Sequence, residues 1–522
     1  MKIDVSTLPE DSEQLKQILL EILERHDRET SILHEQVRHL RALLFSRTSE
    51  KTPVVNNKVQ LPLFDMPEPS DVEPADPGVE VTGHTRRKRG RKPLPEDLPR
   101  IEVVHDIDDK DKVCRCGCEL TRIGEEVSEQ LDIVPARVQV IRHIRPKYAC
   151  RNCEGVQDEG PTVKVAPPPA QIIPKSIATA GLLSHILVAK FVDHLPFYRQ
   201  EKLFARIGLE LSRASMCNWA MQAAKACQPL LNLLQEEVLA GSYIHADETT
   251  VQVLKEPGRK PTSKSYMWIF QRGDPDRQVL IYQYHPTRSG DVARNFLDGF
   301  RGYVQTDGYS GYDFLDQVDG IRHVGCWAHA RRKFKDVVRA QGKNRKRGSA
   351  DKALGYISRL YSLEKKWKKT GLVREEIHRL RQEQSRPILD DFYRWLVKRS
   401  SQTPPKGLLG QAISYSLRQW DRLVGYLEDG RLSMDNNRAE NSIRPFVVGR
   451  KNWLFSGTPE GAKASALIYS LVETARANRQ EPYNYLRYIF EKIPLAATLE
   501  DYEAMLPWNI DPRQLIGQLG GD

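Results

Sequence analysis

The middle of the chain alternates apolar and polar residues in short runs, which is the pattern of half-buried β-strands. There are five such runs. Helical spacing follows the third run, over residues 289–300, and another helix starts at Trp327 after the fifth run. The five runs are residues 243–254, 265–271, 278–284, 303–306 and 321–325. This succession of strands and helices predicts an α/β sheet.

Helical spacing dominates on the N-terminal side of this sheet, over residues 166–240. Two apolar-periodic stretches are interrupted at Gly208, and a further helix opens at Ser212. A helix, a glycine turn and a second helix outline a helix-turn-helix, although plain helical bundles share this outline. Arg213, at the start of the second helix, is a candidate DNA contact.

On the C-terminal side, residues 346–432 show several helical stretches and no strand pattern. They predict an all-helical block between the sheet and the end of the chain. Its helices are predicted at residues 353–369, 373–397 and 408–427, and two last helices at residues 460–478 and 482–491.

The spacing of apolar residues over residues 11–50 predicts one long helix with a hydrophobic seam. The seam positions alternate in spacing between three and four, as in a coiled coil. They are Leu19, Leu23, Leu33, Val37, Leu40 and Leu44, with His26 and Thr30 in the weak middle. Two interpretations stay open: a short coiled coil that makes the protein a homo-oligomer, or an amphipathic helix docked on its own chain.

Composition narrows the class of protein. The chain has 522 residues, so several domains are expected, and 40% of them are hydrophobic, enough for globular folding. No apolar run approaches the roughly 18 residues of a membrane span, and the first residues have no apolar signal core. The expectation is therefore a cytoplasmic protein, nucleoid-associated when bound to DNA, with no membrane partner. A net charge of +10 indicates a polyanionic partner such as DNA.

That charge is clustered. Residues 65–80 contain six acids, four prolines and no basic residue, which predicts a disordered linker. A basic arm follows immediately, and an arm of this kind lies along phosphates or in a minor groove. Its cationic residues are Arg86, Arg87, Lys88, Arg89, Arg91 and Lys92. A second cluster, residues 331–347, has nine basic residues against one acid, which favours a DNA-facing surface.

Five of the eight cysteines lie between residues 101 and 165. Cys150 and Cys153 form a C-x-x-C knuckle, and strand-like runs at residues 131–133 and 138–143 connect it to an upstream cysteine group. Paired thiolates on turns joined by a hairpin predict a small zinc ribbon. Cys114 and Cys116 are favoured as the other ligands, although Cys118 competes for the same two places.

Candidate catalytic carboxylates stand at three distant positions. Asp247 lies inside the first strand run and Asp307 directly follows the fourth. Glu440 lies in the stretch Asp-Asn-Asn-Arg-Ala-Glu-Asn-Ser-Ile-Arg-Pro at 435–445. As a helix up to Arg444, this stretch puts a carboxylate, amides and a guanidinium on one face, which suits a metal-bound phosphodiester. A solvated helix start with a capping box is the alternative.

Other groups near these positions have simpler explanations. Glu248 points to the opposite face of the strand from Asp247. Asp313 and Asp316 follow the turn after Asp307, and Glu473 is on a helix where an arginine could pair with it. Cys326 and His329 are of metal-ligand type, but with only two ligands in reach they are predicted to pin their helix to the core.

Three separated acids in a basic chain favour phosphoryl transfer with two Mg²⁺ or Mn²⁺ ions. No serine or cysteine nucleophile with an adjacent base is conspicuous, and this chemistry needs none. Further DNA contacts are expected from basic residues near the acids. These are Arg331, Arg332, Arg438, Arg444, Arg450 and Lys451.

Several motifs together resemble the DDE transposases of the insertion sequence 66 family, along most of the chain. They are residues 40–51, Gly-Arg-Lys-Pro-Leu-Pro at 90–95, residues 123–131 with 145–150, His-Ala-Asp-Glu-Thr at 245–249, Thr-Asp-Gly-Tyr-Ser-Gly-Tyr at 306–312, Cys-Trp-Ala-His-Ala-Arg-Arg at 326–332 and Asn-Asn-Arg-Ala-Glu-Asn at 436–441. Members of that family usually open the zinc module with C-x-x-C-G, whereas here Val113 stands at the first cysteine position.

The resemblance implies an RNase H-like catalytic core in which Asp247, Asp307 and Glu440 bind magnesium. The helical block would be an insertion in that core before the last acid. The implied function is metal-dependent cleavage at mobile-element ends and strand transfer into target DNA, with small accessory proteins of the same element as further partners. Two alternatives stay open, a nuclease without joining activity and a catalytically silent DNA-binding accessory protein.

Together these features predict a multidomain chain, with an α/β core that contains an all-α insertion. The expected boundaries are residues 1–51 for the N-terminal helix, 52–100 for the linker and arm, 101–165 for the zinc module, 166–240 for the helix-turn-helix-like domain, 241–345 and 433–480 for the core, 346–432 for the insertion and 481–522 for a C-terminal helical segment.

Overall fold

The computed structural model describes residues 11–45, 138–149, 163–274, 277–341, 346–511 and 515. The basic arm and the five cysteines of the predicted zinc module lie outside these residues. The chain divides into two compact units. One comprises residues 1–47 with 168–522, and the other residues 48–167.

The described part of the smaller unit contains two short strands. β1 (Lys147–Ala149) and β2 (Val163–Val165) pair antiparallel, with Tyr148 opposite Lys164. The strand predicted over residues 138–143 is wrong, because this segment is irregular in the structure. Alternating side chains favour a strand, but a strand forms only against a hydrogen-bonded neighbour, and the described chain provides none here. Val140 is accordingly 93% exposed.

The larger unit begins with one long helix, α1 (Ser12–Phe45), as the seam predicted. Four helices precede the sheet: α2 (Ala180–Phe191), α3 (Phe197–Arg206), α4 (Arg213–Ala226) and α5 (Gln228–Leu239). Gly208 has a φ of +79°, which lets the chain turn between α3 and α4. The Ser212 side chain accepts a hydrogen bond from Ser215 N and caps α4. The helix, turn and helix predicted here are therefore present.

A five-stranded sheet follows, as predicted. Its strands are β3 (Tyr243–Gln252), β4 (Lys264–Arg272), β5 (Leu280–His285), β6 (Gly302–Gln305) and β7 (Ile321–Val324). The order across the sheet is β5-β4-β3-β6-β7. β3 is antiparallel to β4 and parallel to β6, so it stands at the junction of an antiparallel and a parallel half.

Two helices and one 3-10 helix accompany the strands. α6 (Asp291–Phe296) precedes β6, the 3-10 helix (Ser310–Gln317) precedes β7, and α7 (Trp327–Gln341) follows β7. α1 packs against α7 within the same unit. The structure thus docks the N-terminal helix on its own chain, while Leu20, Leu23, Leu33 and Val37 stay exposed on it. Self-association through this helix remains a prediction.

The described residues between α7 and the last predicted acid form helices and no strand. They are α8 (Ser349–Thr370), α9 (Arg374–Leu380), α10 (Arg386–Ser400), α11 (Leu408–Arg418) and α12 (Trp420–Val424). A π-helical turn, Arg381–Ser385, joins α9 to α10. The single helix predicted over residues 373–397 is present and runs without a gap from Arg374 to Ser400, with the π-helical turn inside it. In this turn Arg381 points inward and binds Glu364 and three backbone carbonyls.

Four helices complete the chain: α13 (Asn437–Trp453), α14 (Pro459–Ala477), α15 (Pro482–Lys492) and α16 (Leu499–Glu503). The sequence predicted that the first would end at Arg444, but α13 continues through Pro445. Proline removes one backbone hydrogen bond from a helix. Burial of Phe446 and the tight contact of Gly449 with Tyr469 keep the second half of α13 helical.

Two hydrophobic cores hold the larger unit together. One is shared by α2–α5, the sheet and α13–α15, so the segments on both sides of residue 240 share a single core. The other joins the helical block to α7, Tyr243 and Val324, which fixes that block beside β3 and β7. No helix in the described ranges is long and apolar enough to cross a membrane.

Candidate functional site

The parallel pair of β3 and β6 brings two of the predicted acids together. Its register pairs Tyr243 with Tyr303, Ile244 with Val304 and His245 with Gln305. Continuing by two residues puts Asp247 alongside Asp307. Neighbouring strands lie about 4.8 Å apart, and residues in register share a face of the sheet. Both carboxylates therefore stand at the same edge, where β6 ends.

Electrostatics agree with this placement. Burial raises the pKa of Asp247 well above its ordinary value, and the nearby negative charges of Glu248, Asp307 and Glu440 raise it further. Asp247 Oδ1 accepts a hydrogen bond from Glu248 N, and Asp307 Oδ1 accepts one from Tyr309 N, both at 2.9 Å. Among the described residues, no lysine or arginine forms an ion pair with Asp247 or Asp307. A crowded set of acids without a basic partner suits a bound cation.

Asn436 connects the third acid to this edge. It immediately precedes α13 and is fully buried. Its Nδ2 donates to the Ala246 carbonyl at 2.8 Å, and its Oδ1 accepts from His245 Nδ1 at 2.9 Å. Its backbone N–H donates to Cys326 Sγ at 3.2 Å. One residue thus ties the start of α13 to the strand of Asp247 and to the residue before α7.

The His245 ring is neutral in this contact, because burial lowers its pKa to about 3. Since Asn436 Nδ2 already donates to a carbonyl, Nδ1 of His245 carries the proton. The sequence did not single out His245 or Asn436 for this role. Both lie inside the motifs that resembled a family, but their contact spans 191 positions.

Glu440, in the first turn of α13, faces the first turn of α7. Its Oε1 lies 3.7 Å from His329 Nδ1, and its Oε2 lies 3.9 Å from Nη2 of Arg332. Oε1 of Glu440 and Nδ1 of His329 are buried and have no hydrogen-bond partner in the described chain. Burial lowers the pKa of His329, so the ring is neutral. Two buried polar atoms that face each other in this way call for a bridging group.

The neighbouring acids have protein partners instead. Glu248 accepts hydrogen bonds from Arg288 Nε and the Tyr312 hydroxyl, both at 2.7 Å. Asp313 and Asp316 both pair with Arg422. Glu473 pairs with Arg476 at 3.0 Å, the arginine partner that the sequence suggested. The other acids of the region thus have basic partners within the protein, whereas Asp247 and Asp307 have none among the described residues.

The basic residues proposed from sequence differ in their surroundings. Arg332 is exposed beside Glu440, and Arg331, its neighbour on α7, lies over the Tyr361 ring of α8. Arg213 and Lys451 are exposed, and Arg444 is partly buried on α13.

Two of these arginines donate to other parts of the protein. Arg438 donates to the Gly273 carbonyl at 2.8 Å and to Gln278. Arg450 donates to the hydroxyl oxygens of Thr249 and Thr250. These contacts hold α13 on β3 and on the segment between β4 and β5, so for Arg438 and Arg450 a role in DNA contact remains a prediction.

The helical block also reaches the site. A Cβ built on Gly308 would lie 2.7 Å from Cε2 of Tyr415, closer than carbon atoms can approach. Tyr415 is on α11, and the negative charge of Asp307 contributes to the raised pKa of its hydroxyl after burial, which is the main cause. The glycine that follows Asp307 therefore makes room for a side chain from the helical block. No local sequence signal could have indicated Tyr415.

Models of known protein families match most of the length of this chain. The model of the Transposase IS66 family matches residues 175–464, and that of the IS66 C-terminal element matches residues 470–508. The zinc-finger binding domain of transposase IS66 matches residues 111–154, which include all five cysteines of the predicted module. A model described as Transposase C of IS166 homeodomain matches residues 32–103. The chain thus has the zinc-finger, helical DNA-binding and transposase regions of one architecture.

Full-length relatives exist in Sinorhizobium fredii (strain NBRC 101917 / NGR234). Uncharacterized protein y4jD is 32% identical over 539 residues, which cover 99% of this chain and 100% of the relative. Uncharacterized protein y4qI is 31% identical over 552 residues, covering 98% and 99%. With the family model matching more than half of its residues, this chain belongs to the IS66 transposase family.

Proposed function

We propose that this protein is a DDE-type DNA transposase that cuts DNA at the ends of its own element and joins the cut strands to target DNA. Asp247, Asp307 and Glu440 are its catalytic carboxylates. The observation that carries the proposal is their convergence at one sheet edge. The β3–β6 register aligns two of them, and Asn436 anchors the helix of the third to β3.

The fold assigned to this core is RNase H-like. In that fold the first and fourth strands of the sheet lie side by side, and the order β5-β4-β3-β6-β7 has this arrangement. The helical block of α8–α12 separates the second acid from the third and acts as an insertion. These features support the assignment of residues 241–345 and 433–480 to the core and of residues 346–432 to the insertion.

The donor set fits divalent cations of the magnesium class. Asp247, Asp307 and Glu440 offer carboxylate oxygens, the donors that Mg²⁺ and Mn²⁺ prefer, and their mutual repulsion is relieved by positive charge. When bound, the cations activate the attacking water or 3′-hydroxyl and stabilise the leaving oxygen. Asn436 fixes the distance between α13 and β3, and Arg332 offers a guanidinium to a DNA phosphate beside Glu440.

The N-terminal segments supply DNA recognition. The basic arm of Arg86, Arg87, Lys88, Arg89, Arg91 and Lys92 contacts the phosphate backbone. Cys114, Cys116, Cys150 and Cys153 hold a structural zinc ion that orders the module matching the family's zinc finger. The exposed leucines of α1 offer a surface for self-association.

The test is a strand-transfer assay with the full-length protein. Duplex DNA that contains the element's terminal sequence followed by flanking DNA carries a label at the 5′ end of the strand to be joined, and it is incubated with an unlabelled target plasmid. Joined product is expected with magnesium or manganese, and none with a chelator. Calcium should support binding without efficient chemistry, because its looser coordination misplaces the reacting oxygens.

Other outcomes identify the alternatives. Cleaved DNA without joined product would replace the proposal with a nuclease. Specific binding without cleavage in any divalent cation would indicate a silent accessory protein.

A further inference from the structure

Three metal-ligand side chains meet where α7 and α13 begin. Cys326 immediately precedes α7, His329 is in its first turn, and Glu440 is in the first turn of α13. One ligand atom of each lies within 4.8 Å of the others. The sequence offered only Cys326 and His329, and the fold supplies the third ligand from more than a hundred positions away.

The three donors are prepared for a common partner. His329 Nδ1 and Glu440 Oε1 face each other at 3.7 Å without a hydrogen bond. Cys326 Sγ is buried and accepts hydrogen bonds from the backbone N–H groups of Asn436 and His329. A thiolate, an imidazole and a carboxylate around one point make up a three-ligand site with a fourth position open.

We propose that Cys326, His329 and Glu440 form a site for a thiophilic divalent cation of the zinc class, which competes with the catalytic cations for Glu440. Zinc accepts sulfur, nitrogen and oxygen donors, whereas magnesium takes oxygen donors. The two cation classes therefore use different partners around the same carboxylate. Zinc binding breaks the S–H bond of Cys326, forms a zinc–sulfur bond and releases the proton to solvent.

Occupation of this site opposes catalysis for two reasons. It turns Glu440 toward His329, and it adds net positive charge beside the Asp247 and Asp307 edge, which weakens magnesium binding there. This regulatory part rests on the proposed transposase function. The binding part rests only on the three side chains and can be measured without DNA.

The binding test uses the full-length protein. Zinc per chain is measured by elemental analysis after equilibrium dialysis, and cobalt(II) substitution reports thiolate ligation through its charge-transfer absorbance. The variants are Cys326→Ser, which keeps an acceptor for Asn436 N–H, and His329→Gln. Cys227→Ser is the matched control, because Cys227 is also a buried free cysteine but lies far from these ligands in the sequence, between α4 and α5.

Wild type and Cys227→Ser should bind about one zinc more per chain than either site variant. The zinc module contributes equally to all four proteins, so the difference isolates the new site. Equal stoichiometry and equal cobalt spectra in wild type and Cys326→Ser would overturn the site. If Cys326→Ser does not fold, judged by circular dichroism, His329→Gln decides by the same comparison.

The regulatory test adds zinc to magnesium-supported DNA cleavage. Half-inhibition of Cys326→Ser should need at least about tenfold more zinc than wild type, since even outer-shell substitutions weaken metal binding that much. Equal sensitivity would overturn the competition with magnesium. Absence of any cleavage by wild type would remove the proposed function and the regulatory role, while the zinc stoichiometry would still decide the site.

Discussion

Asn436 sets much of the geometry of the site with its side-chain amide and its backbone N–H. It holds Ala246, His245 and Cys326, so it joins β3, α13 and the start of α7. The sequence drew attention to the residues just after it, Asn437 and Glu440, through their helical spacing. Asn436 itself could not be assigned, because its role depends on partners 110 to 191 positions away.

Neutral isosteres of the three acids provide the first prediction. Asp247→Asn, Asp307→Asn and Glu440→Gln keep side-chain shape but remove ligand charge. Each should lower DNA cleavage by about a thousandfold, which corresponds to several kcal/mol of transition-state stabilisation. End binding, measured by fluorescence anisotropy, should change little. Because the three act as one unit, a double variant should be barely worse than a single one.

Two acids that form ion pairs with arginines serve as controls for that series. Asp313→Asn leaves Arg422 paired with Asp316, and Glu473→Gln removes only a contact to Arg476. Both should keep substantial cleavage activity. Glu248→Gln is a poor control, since it would disturb Arg288 and Tyr312 next to Asp247. Near wild-type cleavage by Glu440→Gln would remove Glu440 from the site.

Gly308→Ala is the second prediction. The added methyl group would overlap the Tyr415 ring, so either the loop after Asp307 or α11 must shift. We expect a loss of about 1–3 kcal/mol in the free energy of unfolding, measured by urea denaturation, and weaker magnesium-dependent cleavage. The change should be smaller in a Tyr415→Ala background, where the space is open, which gives a favourable coupling energy in a double-mutant cycle.

Gly355→Ala serves as the matched control for this prediction. Gly355 is inside α8 and a Cβ there would meet nothing within 4 Å. This change should leave cleavage unaltered and stabilise the helix slightly. Equal effects of Gly308→Ala in the wild-type and Tyr415→Ala backgrounds would show that the two positions do not interact.

At the scale of elements, α13 combines a local signal with a tertiary one. The helical spacing of the motif predicted the helix, but the capping box of Asn437 and Glu440 is not formed, because the N-cap is Asn436 and makes no side-chain cap hydrogen bond. The length of α13 did not follow from the motif either, because Pro445 normally ends or kinks a helix. The Phe446 side chain of α13 is buried in the core shared with the sheet, and Gly449 of α13 lies close to Tyr469 of α14. Packing of this kind outweighs the loss of one hydrogen bond.

The π-helical turn between α9 and α10 gives the third prediction. Arg381 there is 2% exposed, pairs with Glu364 at 2.8 Å and donates to the carbonyls of Tyr426, Asp429 and Leu432. Arg381→Ala would leave these acceptors buried without donors. The free energy of unfolding, measured by urea denaturation, should fall by about 3 kcal/mol.

Arg379→Ala, two residues earlier, is the control. Arg379 pairs with Glu383 at 3.0 Å, but both side chains are more than half exposed, so solvent screens the pair. Its removal should change the free energy of unfolding by about 0.5 kcal/mol or less. Equal losses for the two arginines would contradict the structural role assigned to Arg381.

At the scale of the whole molecule, the helices before the sheet are part of the core. Leu183 and Leu187 of α2 are completely buried in the same cluster as Ile269 of β4 and Leu471 of α14. The change from helical spacing to strand alternation near residue 240 had indicated a separate domain before the sheet. Contacts instead put the division of the chain at residues 167 and 168.

Two truncations provide the fourth prediction. Residues 168–522 should fold cooperatively and bind DNA weakly, with strong salt dependence through the basic surface of α7, but without selecting element ends. Residues 241–522 should not fold, because they lack α2–α5 and expose the apolar core beneath. Circular dichroism melts and anisotropy titrations at several salt concentrations measure both. Selection of element ends by residues 168–522 would move recognition out of the N-terminal segments.

The sequence by itself determined the order and type of most elements and drew attention to all three acids. This succeeded because strand alternation and helical periodicity are local properties, written in consecutive residues. It failed at residues 138–143, where the alternating pattern has no strand to pair with among the residues that the structure describes. It also failed at Pro445, where distant packing outweighed the local preference, and it did not indicate the π-helical turn at Arg381.

Only the tertiary structure decided which distant residues meet. The β3–β6 register aligns Asp247 with Asp307, Asn436 brings the Glu440 helix to them, and Tyr415 arrives from the helical block. It also turned Cys326 and His329 from a pair into a set of three by adding Glu440. Such contacts depend on how hydrophobic faces pack over more than a hundred intervening residues, and no spacing rule within a segment records that packing.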